Sequence, residues 1–182
     1  SGKTRVLTYR VAHLLNLGAD PFNILALTFT NKAAREMKAR IEQVVGPMAG
    51  KVWAGTFHSI FARILRVEAE KIGYPSNFTI YDSDDTKSLI GTIISEMNLD
   101  KNTYNANTIR SRISSAKSNL ITPKLYRSNE ELMNQDRMAK RPFTHAIYEK
   151  YTARCKQAGA MDFDDLLYRL FELLQRNPDQ VL

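Results

Sequence analysis

Three residues near the amino end, Gly2-Lys3-Thr4, are the closing positions of a phosphate-binding loop of the form G-x-x-x-x-G-K-[ST]. The chemistry open to such a trio is nucleotide binding. A helix starting here offers unbonded N–H groups and a positive dipole end, the Lys3 ammonium can reach β and γ phosphates, and the Thr4 hydroxyl can hold Mg²⁺. Because only the second half of the loop motif is present, the trio read alone also fits a plain polar helix start. Two strand ends supply further candidates. Phe29-Thr30-Asn31-Lys32 closes one apolar run and Thr56-Phe57-His58 another. An aromatic ending a buried strand is ordinarily core, and a histidine opening a helix serves equally for capping, for packing or for meeting a phosphate. Asp162, Asp164 and Asp165 offer oxygens of the kind Mg²⁺ takes, but carboxylates at a helix start are explained by capping and dipole alone. Between Lys101 and Arg127 there are six basic residues and no acidic one. Among them Arg110, Arg112 and Lys117 fall on one expected helix, either as contacts to duplex phosphates or as a solvated face.

Regular elements must position these groups. Val6, Leu7, Val11, Leu14 and Leu15 recur at helical spacing, and Gly18 stands where a helix would end. The continuous apolar run from Ile24 to Phe29 predicts a parallel strand covered on both faces. Thr30 or Asn31 then caps a helix to about Val45, with Ala34, Met37 and Ile41 inward. The unit repeats as a strand over Val52 to Phe57 and a helix over His58 to Lys71, closed by Gly73. This alternation predicts an α/β parallel sheet. Beyond about Phe78 the strand signal fades. Helical stretches follow at 83–98, 107–118, 129–139 and 142–157, as expected of an inserted all-helical subdomain. Asp162 caps a last helix with Leu166, Leu167, Leu170 and Leu174 as its apolar stripe, stopped by Asn177-Pro178.

The chain has 182 residues, 43% of them hydrophobic, and a formal charge of +7, which favours a polyanionic partner. Residues 1–72 carry eleven basic and five acidic side chains, residues 158–182 two and five, so the basicity lies upstream. Cys155 is alone, which excludes an intramolecular disulfide and fits a reducing compartment. No apolar run approaches the roughly 20 residues of a membrane span, and no secretory signal pattern opens the chain. A cytoplasmic protein with no membrane partner is expected.

The ordered set Gly2-Lys3-Thr4, Leu27 to Met37, Gly55-Thr56-Phe57-His58-Ser59 and Met161 to Leu167 resembles motifs I, Ia, Ib and Id of superfamily I DNA helicases of the UvrD/Rep/PcrA family, over essentially the whole chain. The resemblance implies a P-loop NTPase, RecA-like parallel sheet, incomplete here, with an inserted helical subdomain. Its boundaries fall at 1–77 for the first part of the ATP-binding domain 1A, 78–157 for the helical insertion 1B, and 158–182 for the return to 1A. It implies that Ser1, Gly2, Lys3, Thr4 and Arg5 surround ATP, with Lys3 catalytic and Thr4 on Mg²⁺. It further implies that Phe29, Thr30, Asn31, Lys32, Thr56, Phe57 and His58 touch single-stranded DNA, and that Arg110, Arg112 and Lys117 meet the duplex at a junction. The parent is then an ATP-dependent 3′–5′ helicase or translocase of repair or replication, bacterial and nucleoid-associated. The Walker B pair and the second RecA-like domain fall outside this stretch, so the isolated chain is expected to be inactive as an ATPase. Two other readings remain: a different P-loop enzyme, for which Phe29 and His58 are packing residues, or a non-catalytic nucleic-acid-binding module.

Overall fold

A computed structural model describes residues 2–176. The chain divides into two compact units, Ser1–Ile64 and Leu65–Leu182. The expectation of Asn177-Pro178 as a helix stop lies outside the described residues, as does Ser1.

In the first unit, α1 (Gly2–Asn16) is followed by β1 (Leu25–Thr28), α2 (Asn31–Val45), β2 (Trp53–Thr56) and the start of α3 (Phe57–Glu68). Gly18 takes a left-handed φ of 86° after α1, a backbone state that glycine enters without steric cost. β1 and β2 pair in parallel, Leu25 opposite Trp53 and Thr28 opposite Thr56. Ala26 and Ala54 lie opposite each other, both buried, in a core with Val11, Met37 and Ile41 from α1 and α2. Small residues at these paired positions let the helices approach the sheet closely. Coverage of β1 on both faces is not observed: Leu25 is 53% exposed. The two-stranded sheet presents one face to α1 and α2, so alternate residues of β1 turn away from that core.

The second unit is mainly helical: α4 (Ser83–Glu96), α5 (Ala106–Ser118), α6 (Pro123–Ser128), α7 (Glu130–Met138), α8 (Thr144–Gln157) and α9 (Phe163–Arg176). Four of these match the expected stretches within two residues at each end, while α6 was not anticipated. Its core joins Ile90, Ile93 and Ile94 of α4, Ile109 and Ile113 of α5, and Ile147, Tyr148 and Tyr151 of α8.

This unit is not all-helical. β3 (Thr79–Tyr81) pairs in parallel with β4 (Ala160–Asp162), Thr79 opposite Ala160 and Tyr81 opposite Asp162. The fading of the strand signal beyond Phe78 is thereby corrected, since three-residue strands are too short to show alternation. The contacts of β3, β4 and α9 are with elements of the second unit, which begins at Leu65. The fold is an α/β arrangement, mostly helical, with short parallel strands.

Candidate nucleotide and nucleic-acid sites

The N-terminus of α1 is built from Gly2, Lys3 and Thr4, and its first turn holds no acidic residue. The leading N–H groups of any helix lack intrahelical acceptors, so this end is electropositive before its side chains are counted. Lys3 and Arg5 are exposed and Thr4 is half-buried. The Thr4 carbonyl accepts from the Thr8 hydroxyl at 2.9 Å, which leaves the Thr4 side chain out of that bond. An ammonium, a hydroxyl and free N–H groups within one turn, with no carboxylate among them, are a donor set that fits a phosphate and its divalent cation. The Arg5 guanidinium lies 5.8 Å from the Tyr9 ring centroid. Arg5, Thr8, Tyr9, Arg40, Gln43 and Val44 line a cavity of about 370 Å³ with two guanidinium groups and no carboxylate. Tyr9 and Arg40 were missed from sequence; the signal available was the i,i+4 spacing of Arg5 and Tyr9 on one helix face.

The strand ends come together by register. Because Thr28 stands opposite Thr56, the next residue on each strand path, Phe29 and Phe57, emerges at the same edge, with ring centroids 5.1 Å apart and planes tilted by 37°. Phe29 is 87% exposed, the opposite of a core aromatic. Thr30 caps α2 by accepting from the Ala33 N–H at 3.2 Å, and Thr30, Asn31 and Lys32 are all exposed. Thr56 caps α3 in the same way, its hydroxyl accepting from the Ser59 N–H at 3.2 Å and donating to Ser59 Oγ at 3.0 Å. Thr56, expected at DNA, is only 6% exposed with its hydroxyl bonded within the turn, and it positions the turn on which Phe57 and the exposed His58 stand. Gly55 allows that turn. A Cβ there would lie 2.9 Å from Ser59 Oγ and 3.1 Å from Ile60 Cδ1.

Two of the three basic residues of α5, Lys117 and Arg112, are tied down. Lys117 is 7% exposed, and its ammonium donates to Asp162 Oδ2 at 2.7 Å and Asp165 Oδ1 at 2.8 Å. Expected on duplex phosphate, this ammonium is instead buried and held by two carboxylates. Arg112 donates from Nε to the Tyr126 hydroxyl at 2.8 Å and to Asp136 Oδ1 at 3.2 Å, and from Nη2 to Gln135 Oε1 at 3.0 Å. Expected at phosphate, Arg112 is thus half-buried and paired among helices α5, α6 and α7. Arg110 is half-buried, with Nη1 3.5 Å from Ser83 Oγ.

Asp162 and Asp165 form a reciprocal box at the start of α9: the Asp165 N–H donates to Asp162 Oδ1 at 2.8 Å and the Asp162 N–H to Asp165 Oδ2 at 3.2 Å. The Tyr151 hydroxyl adds a bond to Asp162 Oδ2 at 2.7 Å. Burial opposes charge on all three groups, but they respond differently. For Lys117 the facing carboxylates outweigh burial and raise its pKa well above the ordinary ammonium range. Asp162 is also buried, yet Lys117 and the Tyr151 hydroxyl draw its pKa below the ordinary value. For Asp165 burial prevails and the pKa rises. Capping, foreseen from sequence, thus accounts for part of this aspartate cluster, and the ion pair to Lys117 for the rest.

The UvrD/REP helicase N-terminal domain model matches residues 1–181. The chain belongs to the UvrD/REP helicase N-terminal domain family. Similar relatives within it are the proteins named ATP-dependent DNA helicase PcrA of Leuconostoc citreum, 42% identical over 98% of this chain and 23% of that protein, and of Staphylococcus epidermidis, 41% identical over 98% of this chain and 24% of that protein. The corresponding protein of Staphylococcus aureus is 40% identical over the same shares. The chain therefore spans about a quarter of the length of these UvrD/REP relatives. Among its described residues, no helix is long and apolar enough to cross a membrane.

Proposed function

We propose that this chain is the ATP- and single-strand-binding front of an ATP-dependent DNA helicase or translocase, moving 3′–5′ in bacterial cytoplasm, nucleoid-associated, in repair or replication. The observation that carries the reading is the exposed Phe29 ring at a strand end, held beside Phe57 in the same compact unit as the Gly2-Lys3-Thr4 helix start. The solvent-facing part of that ring is a surface on which any base of a single strand can stack.

In this reading residues 1–77 are the beginning of a P-loop, RecA-like domain 1A, residues 78–157 are insertion 1B, and 158–182 lead back to 1A. Lys3 neutralises β and γ phosphate charge, the N–H groups of the α1 start bind the same anion, and the Thr4 hydroxyl holds the cation. Mg²⁺, when bound, supplies charge neutralisation to the triphosphate. Ser1 and Arg5 flank the nucleotide. Phe29 stacks on a base, while Thr30, Asn31, Lys32 and His58 meet the backbone around it, a contact set without sequence preference. Phosphate contacts make that binding salt-sensitive.

The deciding experiment uses the full-length protein. ATP hydrolysis is expected to require single-stranded DNA, and Lys3→Ala is expected to abolish both hydrolysis and unwinding. DNA-independent hydrolysis together with unwinding that survives Lys3→Ala would overturn the assignment.

A further inference from the structure

Phe29 does not stand on a single neighbour. The Phe61 ring meets the Phe57 ring edge-to-face, with centroids 5.9 Å apart and planes at 76°. The three rings form a ladder, exposed at Phe29 and partly buried at Phe57 and Phe61. Its geometry follows from two periodicities. Strand register sets Phe29 beside Phe57, and the i,i+4 spacing of α3 sets Phe61 on the same helix face as Phe57.

We propose that Phe61, acting through Phe57, sets the angle of the Phe29 ring and is a positioning residue for single-stranded DNA binding. The proposal rests on the reading that Phe29 stacks on a base, and it assigns Phe57 the part of buttress. A lone phenylalanine at a strand end turns freely about its side-chain torsions, and that freedom is lost when a base stacks on it. A ring already leaning on Phe57 has surrendered much of it before the DNA arrives. Phe57 can serve only if it is itself held, and the edge-to-face contact with Phe61 holds it. The backbone beneath is equally fixed: Thr56 and Ser59 close the first turn of α3, and Gly55 lets the helix lie against the strand end. Edge-to-face and tilted pairs are the arrangements that aromatic quadrupoles favour.

The test is a double-variant cycle in the full-length protein, using a single-stranded oligonucleotide with 2-aminopurine at its centre. Anisotropy reads affinity, and 2-aminopurine quenching reads stacking. Phe61→Leu is expected to weaken binding about threefold to tenfold, the size of one aromatic pair, and to reduce the quenching, while Phe61→Tyr stays within about twofold of the parent. The slope of affinity against salt stays unchanged, because no phosphate contact is removed. In a Phe29→Ala background Phe61→Leu should add nothing further. A role confined to folding would lower the unfolding midpoint and leave quenching and affinity of the folded protein intact. The proposal falls if Phe61→Leu binds and quenches as the parent does, or if its effect persists undiminished in the Phe29→Ala background. If Phe29→Ala itself leaves affinity unchanged, the stacking reading beneath it falls first.

Discussion

Lys117 and Asp162 meet at 2.7 Å although 45 positions separate them in the chain. The bond joins α5 to the end of β4, and Asp165 and Tyr151 complete a buried group that ties α5, α8, β4 and α9 together. Attraction between buried charges is offset by the cost of removing them from water, so the cluster's net contribution is small compared with the damage done by removing one member.

Lys117→Met leaves two carboxylates without their cation. The expected loss is about 3–5 kcal/mol, read from urea unfolding of the second unit. Replacing Lys117, Asp162 and Asp165 together by apolar residues of similar volume should restore most of it.

Asp162 has a folded pKa below its ordinary value of 3.8. A group of this kind stabilises the fold above its unfolded pKa, and the contribution disappears as the pH falls through the folded one. Acid unfolding curves should therefore show stability falling below about pH 4, a limb that flattens in Asp162→Asn. An equally steep limb in that variant would assign the acid loss to other groups.

Gly55→Ala places a Cβ against Ser59 Oγ and Ile60 Cδ1. Ser59 can rotate only by giving up its bonds to Thr56, so a cost of about 1–3 kcal/mol is expected, measured by thermal or urea unfolding. Strand-end geometry should suffer too, seen as weaker single-strand binding at temperatures where the variant is folded.

Cys155 is buried between α8 and its neighbours, and burial pushes its thiol up to about 11. Since the thiolate is the reactive form, a disulfide reagent at pH 8 should label the folded protein slowly. The rate should rise with urea in step with unfolding, whereas rapid labelling without denaturant would contradict the packing.

Much of the first unit was legible. Helical periodicity, the apolar runs and the Gly18 stop located its elements, and Thr30 capped as its type suggests. The positions of Phe29 and Phe57 could be read only as separate strand ends, because their proximity depends on a parallel register that one sequence does not display. The pairing of Lys117 and Arg112 within the helical unit was not anticipated. Charge was counted along the segment, but Lys117 follows Ile113 by four residues and Ile109 by eight, which places it on the buried isoleucine face. Arg112 sits three after Ile109 and four before Ala116, another inward-leaning spacing. β3 and β4 escaped notice because Thr79-Ile80-Tyr81 and Ala160-Met161-Asp162 are each one pleat long.

The trio of Lys117, Asp162 and Asp165 also constrains how the family can drift. A lineage that loses the lysine first inherits two stranded anions, and one that loses the aspartates first inherits a stranded cation, so either single step passes through a poorly folded ancestor. Homologous chains should therefore keep all three or have exchanged them jointly, and a chain retaining the lysine beside two apolar substitutes should be rare.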